Sequence, residues 1–190
     1  MNMQRTGHAV PMIAGAFALS LFATSASAQV DLTKSTVIAT AKQLGVPIEG
    51  KFKKIAATIQ FNQAQLAQAN AKIEIEVGSY DMGSPEYNKE VVGKDWFAAA
   101  QFPKATFVSS SVVAAGAGKF NVTGKLTLKG KTVDLTIPVS VKQEGVNQIF
   151  DGAIPIKRTQ FNIGDGEWKD TSVVADEVVI RFHVVAMPLK

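Results

Sequence analysis

Few side chains in this sequence have the chemistry that catalysis usually requires. The chain has no cysteine and two histidines, and His8 lies in a leader-like N-terminal stretch, so His183 is the one imidazole available to a folded domain. Without cysteine there is no disulfide, no thiolate metal site and no cysteine nucleophile. A Ser-His-Asp triad would have to use His183, which alternates with Ile180 and Phe182 and is therefore predicted to point outward from a strand. We expect no catalytic residues, no metal site and no enzymatic activity.

Two further patterns resemble catalytic motifs without matching them. Paired carboxylates could come from Glu86, Glu90 and Asp95, but these fall on a predicted helix whose solvated face explains them. The segment 124–132 resembles a phosphate-binding loop, yet five residues separate its glycines where the motif has four. This segment also joins strand to strand, so no helix N-terminus would face a phosphate. We predict a hairpin turn at Gly130-Lys131 instead.

Length and charge narrow the class of protein further. A chain of 190 residues is enough for one domain of ordinary size. Its net charge of +4 is spread out, with adjacent basic residues only at Lys53-Lys54 and Lys157-Arg158. Nucleic-acid binding needs a concentrated basic face, so we expect no nucleic-acid partner.

The N-terminal residues have the pattern of an export signal. Arg5 precedes an apolar run over residues 12–22, and small residues follow up to Ala26-Ser27-Ala28. A weakly positive start, a short apolar stretch and an Ala-x-Ala site are typical of a secretory signal peptide. We predict cleavage of residues 1–28, a single mature domain over residues 29–190, and a soluble periplasmic protein.

Alternation of apolar and polar residues dominates the rest of the chain. Clear runs cover residues 72–77, 120–128, 132–141 and 178–186, and weaker ones cover 34–41, 51–61, 105–113 and 149–157. About eight short strands of period two, each with one wet and one dry face, predict an antiparallel sandwich or barrel. Residues 62–71 fit either a helical turn or a long connection.

One region interrupts the alternation. Ser84 can cap a helix and Pro85 suits its first position, while Gly93 and Asp95 indicate a stop and a second start. We predict one or two short helices near residues 84–101, lying across the sheet as a lid or plug. The phenylalanines on the strands could fill the barrel or line a hollow one, because an eight-stranded barrel permits both.

Five parts of the chain carry a resemblance to a known family: residues 44–46 with 50–52, 94–97, 102–109, 122–132 and 158–164. In order and spacing they resemble the YceI-like family. The resemblance covers nearly all of residues 29–190 and implies an extended lipocalin-like, eight-stranded antiparallel barrel that binds isoprenoid or other long amphiphilic lipids, often in the periplasm. It also implies a hollow interior, which alternation alone does not decide. Family members often have a histidine in the region where this chain has Asn-Lys-Glu-Val (residues 88–91). They often have Asp-Phe-Gly where this chain has Gln-Phe-Asn (residues 160–162). Both differences concern polar positions, so they bear on how the head group of a ligand would be recognised.

From this resemblance we expect a carrier that holds an isoprenoid or quinone-like lipid without catalysis and without any other cofactor. A membrane redox partner and a homodimer are compatible with that role. Two alternatives are an interaction module with a filled barrel that meets such a redox protein, and a lipid-modifying enzyme. The side chains expected at the lipid pocket are Trp96, Phe97, Phe102, Phe107, Phe52, Phe120, Phe161 and Arg158.

Overall fold

The computed structural model describes residues 28–187, and within them the chain folds almost entirely into antiparallel strands. Eleven strands and one α-helix are joined by turns and four short 3-10 helices. The elements are β1 (Ala28–Val30), β2 (Thr36–Gln43), β3 (Val46–Phe52), β4 (Ile55–Gln60), β5 (Asn70–Glu76), β6 (Tyr80–Asp81), α1 (Pro85–Val91), β7 (Lys104–Gly116), β8 (Lys119–Leu128), β9 (Lys131–Glu144), β10 (Asn147–Lys157) and β11 (Glu177–Met187).

Eight of these strands close into a barrel, in the order β1-β4-β5-β7-β8-β9-β10-β11 and back to β1. The short strand β1 completes the ring, since Gln29 pairs with Thr58 of β4 on one side and with Met187 of β11 on the other. This confirms the predicted eight-stranded antiparallel barrel. Residues 1–27, which contain the predicted signal peptide up to its last residue, lie outside the described part of the chain.

The remaining three strands, β2, β3 and β6, form an extension beside β11. Strand β2 pairs with residues 179–183 of β11, whereas β1 pairs with residues 186 and 187 of the same strand. Strand β3 pairs with β2, and β6 pairs with β3. The single strand predicted over residues 51–61 is therefore two strands, because the chain leaves one pairing and enters another at Lys53-Lys54. At this break Lys53 pairs with Asp81 and Lys54 pairs with Glu76 (3.0 Å).

Period-two alternation directs the apolar side chains of each strand into the barrel. In β8 and β9, for example, Phe120, Leu126, Leu128, Ile137 and Val139 are all buried. Their polar neighbours point outward, where Thr123 bonds Thr136 and Lys125 bonds Asp134 across the two strands. Such cross-strand pairs fix the register, so the apolar row of one strand faces the apolar rows of the others.

The two ends of the barrel differ in how they are covered. One end, called the closed end, carries the tight turn between β8 and β9 and two long connections, residues 77–103 and residues 158–176. Val77 and Phe161 from these connections are completely buried under the barrel. The opposite end carries the connection 61–69, the turns at 117–118 and 145–146, and the start of β1 at Ala28.

The region predicted to hold one or two helices contains the single helix α1, followed by hydrogen-bonded turns up to Phe102. Pro85 occupies the first turn of α1, as predicted. The carboxylate of Asp81 ties this region to the barrel, accepting hydrogen bonds from Lys53 (2.5 Å), the Asn88 side chain (2.8 Å) and the backbone of Gly83 (3.0 Å). These bonds hold the pKa of Asp81 well below its usual range, and the bond from Lys53 has the largest effect on it. Among the described helices, none has the length and apolar character needed to cross a bilayer.

Candidate functional site

An apolar cavity of about 160 Å³ lies inside the barrel. Inward side chains from β2, β3 and seven strands of the ring line it. Of all the lining residues, three carry polar side chains, namely Gln60, Asn70 and Thr106. A hollow of this composition excludes charged ligands and suits a hydrocarbon, because a charge placed there would lose its hydration without gaining a partner.

Two glycines on the inner face help to keep this space open. The ring of Phe107 lies against Gly124 and that of Phe182 against Gly152, so that a Cβ at either glycine would stand within 2.6 Å of the nearby ring. Both phenylalanines line the cavity. Because Gly124 and Gly152 have no side chain, they leave room for these two rings beside the cavity.

Asn70 is the lining residue that is exposed to solvent, and with the half-buried Gln60 and Phe61 it lies at the end opposite the closed end, so we infer that the cavity opens there. Three phenylalanines gather there, with Phe61 edge-on to Phe120 (4.9 Å between ring centroids) and to Phe150 (5.5 Å). Beside them the exposed Asn70 lines the cavity and donates to Gln60 at 2.9 Å. We call this opening, bounded by Phe61, Asn70 and Val112, the mouth.

The closed end is packed with aromatic side chains instead. Phe97 packs against both Phe52 (6.0 Å between ring centroids) and Tyr80 (5.6 Å), which contact each other at 4.7 Å. Trp96 packs against Trp168 at 5.5 Å. The Tyr80 hydroxyl donates to the carbonyl of Ala39 at 3.2 Å, and burial raises the pKa of Tyr80 to about 12. This end is a plug that a ligand would have to unpack, whereas the mouth requires less rearrangement.

Arg158 is the largest fully buried residue, with 1 % of its surface exposed. Its guanidinium donates five hydrogen bonds, all to backbone carbonyls, and burial lowers its pKa. Because a guanidinium has five N–H donors, none is left for a ligand. Arg158 thus holds the 158–176 connection in shape. The acceptors are the carbonyls of Ile163, Gly164, Trp168, Val174 and Ala175.

Of the eight predicted pocket residues, Phe52, Phe107 and Phe120 line the cavity. The other five lie outside its lining, around the closed end: Trp96, Phe97 and Phe161 in its packing, Phe102 with its ring against Gly130, and Arg158 in the cluster just described. The lining also includes Phe61, Phe150 and Phe182, which were not among the predicted pocket residues. The alternation of apolar and polar residues along β10 and β11 places Phe150 and Phe182 on the inward face, so the sequence pattern could have identified these two.

His183 points outward, as predicted. Its Nδ1 lies 2.7 Å from an Asp151 carboxylate oxygen on the outer surface, and both side chains are about two-fifths exposed. The neighbouring Phe182 and Val184 line the cavity. Between residues 28 and 187 there is no group of three or more His, Cys, Asp or Glu side chains placed to hold a metal ion.

Comparisons with known proteins agree with this architecture. Residues 29–186 match the YceI-like domain. The UPF0312 protein of Vibrio parahaemolyticus is 33% identical over 90 residues, which cover 47% of this chain and 48% of that protein. A UPF0312 protein of Pseudomonas syringae pv. tomato is 33% identical over 131 residues, 65% of this chain and 68% of that protein. The match thus spans about half the length of the Vibrio relative.

Solved structures show the same fold. Burkholderia cenocepacia BcnA is 57% identical, with a TM-score of 0.82 over 83% of this chain and 99% of that one. A Campylobacter jejuni YCEI protein is 22% identical, with a TM-score of 0.68 over 75% and 85% of the two chains. A polyisoprenoid binding domain from Saccharophagus degradans is 16% identical, with a TM-score of 0.68 over 86% and 99%. This chain belongs to the YceI-like family.

Proposed function

We propose that this protein binds one isoprenoid or similar long-chain lipid inside the barrel and carries it through the periplasm, without catalysis. The observation that carries the proposal is the apolar cavity inside the barrel, which has three polar lining residues. The structural likeness to a polyisoprenoid binding domain supports the choice of ligand class. A filled barrel, which the interaction-module alternative requires, is not favoured by this cavity.

The size of the cavity sets a requirement on the ligand. A cavity of about 160 Å³ is close to the roughly 150 Å³ cavity that accepts a benzene-sized molecule. At about 0.8 kcal/mol for each buried CH₂, a five-carbon isoprene unit contributes ~4 kcal/mol, which corresponds to millimolar affinity even before association costs. Micromolar binding therefore needs a longer chain that moves the rings of Phe61 and Phe107 aside or extends through the mouth.

The mouth indicates what kind of head group would suit it. Its polar atoms come from the uncharged amides of Gln60 and Asn70, already bonded to each other. Such groups can bond a hydroxyl or a quinone carbonyl but cannot neutralise a phosphate. We therefore expect a neutral prenyl alcohol or quinone to bind more tightly than the corresponding prenyl phosphate.

The test uses prenyl alcohols of increasing length with the wild-type protein and two variants. Val122→Trp places a large side chain in the cavity, while Asn121→Trp places the same side chain on the outer face of β8. We expect the melting temperature of the wild type and of Asn121→Trp to rise with ligand, more for longer chains, and that of Val122→Trp to stay unchanged. Mass spectrometry of lipids extracted from gently purified protein identifies the natural ligand. A wild type whose melting temperature no prenyl lipid or quinone moves, at concentrations well above micromolar, refutes the carrier role.

A further inference from the structure

The connections around the mouth have an unusual composition. Three segments form the mouth rim, namely residues 61–69, 112–122 and 143–148, and two of their 26 residues, Lys119 and Glu144, are charged. At the chain's overall charged fraction of 19%, about five charged residues would be expected among them. Charged side chains are mostly exposed at protein surfaces, so their scarcity around one opening needs a physical reason.

The rim also exposes apolar side chains to solvent. Val113 is 58% exposed and Val146 is 72% exposed, and five alanines of the rim are exposed as well. These are Ala64, Ala67, Ala114, Ala115 and Ala117. The polar residues that remain in the rim are asparagines and glutamines. These side chains enter an interface with lipid at lower cost than charged ones.

The closed end has the opposite composition. Its two connections, residues 77–103 and 158–176, contain twelve charged residues. Three exposed large apolar residues do occur at this end, Leu44 and Val46 at the turn between β2 and β3 and Tyr87 on α1. Charged residues lie near all three, with Lys42 and Glu49 on β2 and β3 and Glu86 beside Tyr87. Charge is therefore scarcer at the end where the cavity opens than at the closed end.

Two lysines lie at the mouth rim or next to it. Lys119 and Lys142 lie on the outer faces of β8 and β9, close to the turns at 117–118 and 145–146, and neither forms an ion pair in the described structure. Glu144 is the acidic residue closest to them along the chain. Lysines beside an apolar edge can extend their ammonium groups to lipid phosphates while the apolar side chains enter the acyl region.

We propose that the mouth rim docks on the surface of a lipid bilayer, so that the cavity exchanges its lipid directly with the membrane. The inference rests on the proposed function, because a lipid carrier has its reservoir in the bilayer. Docking on the membrane would cover the exposed valines and bring the mouth to the acyl chains, so that the lipid tail need not cross water.

The chain offers a matched pair of variants to test this. Val113→Asp with Val146→Asp puts two carboxylates on the mouth rim, and Leu44→Asp with Val46→Asp puts two at the closed end on residues of similar exposure. Flotation of the protein with phosphatidylcholine vesicles, with and without phosphatidylglycerol, measures docking without any bound ligand. We expect the vesicle-bound fraction to fall roughly tenfold or more in the rim variant and to stay at the wild-type level in the closed-end variant. Equal binding by all three proteins, or no binding by the wild type, overturns the proposal.

A second measurement separates this proposal from the proposed function. A fluorescent prenyl alcohol is delivered either from vesicles or from cyclodextrin, which needs no membrane contact. We expect the rim variant to take up ligand from cyclodextrin at the wild-type rate and from vesicles roughly tenfold more slowly. A rim variant that matches the wild type from both donors refutes docking, whereas a wild type that takes up nothing from cyclodextrin refutes the carrier function itself.

Discussion

Truncation of Phe107 tests whether the barrel interior is a binding space or a defect in packing. In a core, Phe→Ala costs about 3–5 kcal/mol. The ring of Phe107 already borders the cavity on one side and Gly124 on another, so its removal forfeits fewer contacts than usual and should cost about 3 kcal/mol. For a domain of this size that lowers the melting temperature by roughly 6–12 °C.

The matched variant is Phe97→Ala. Phe97 packs against Phe52 and Tyr80 in the plug, and Phe52 stands between it and the cavity. Its truncation should cost a similar amount but leave a void that no ligand reaches. Thermal melts with and without a twenty-carbon prenyl alcohol separate the two cases.

A ligand at one hundred times its Kd adds about 2.7 kcal/mol to the stability of a binding protein. We expect Phe107→Ala to gain more than the wild type from the same ligand, because the enlarged space accepts more of the chain. Phe97→Ala should gain as much as the wild type. The reasoning fails if Phe107→Ala gains no more from ligand than Phe97→Ala does.

Four further outcomes are expected. Arg158→Ala removes the donor to five buried carbonyls and should destabilise the domain by more than about 3 kcal/mol in urea unfolding; a smaller loss would mean that water replaces the guanidinium. Because the folded-state pKa of Asp81 is depressed, its stabilisation is present above about pH 4 and is lost as pH falls further. Unfolding curves between pH 7 and 2.5 should therefore lose part of their pH dependence in Asp81→Asn, and unchanged curves would contradict this. His183→Ala breaks an exposed pair with Asp151 and should change stability by less than about 1 kcal/mol, with lipid binding intact; lost binding would contradict the outward placement. Intact-mass measurement on exported protein should find Gln29 at the N-terminus, and a retained leader would contradict the predicted cleavage.

The sequence predicted the strands that have one polar side facing solvent and one apolar side facing the barrel interior. Strands β8, β9 and β11 alternate over ten or more residues, and their pattern could be recognised without any structure. The three residues of β1 are too few to show a period, although they close the ring. Likewise, the break at Lys53-Lys54 depends on which neighbours β3 and β4 pair with, and pairing is a tertiary property.

The sequence could predict that an apolar site lies inside the barrel, but it could not predict where along the barrel each side chain lies. Alternation shows that Phe107 and Phe120 face inward, and both line the cavity. It cannot show how far along the barrel a side chain lies, nor can it place an aromatic residue of an irregular connection, such as Trp96 or Phe161. The role of Arg158 depends on five carbonyls that the chain brings together only when the 158–176 connection folds back.

The seam between β1 and β11 has a consequence for how the protein must form. Gln29 and Met187 pair across it, so the last contact of the ring joins the two ends of the described chain. Pairing over such a distance raises the contact order and delays closure, because a long loop loses entropy when its ends meet. Until β11 has been synthesised and delivered, the sheet has two free edges and an uncovered apolar face. Such an intermediate is prone to aggregate, so we expect the chain to depend on a holding chaperone, and a chain truncated before β11 to aggregate instead of forming a smaller barrel.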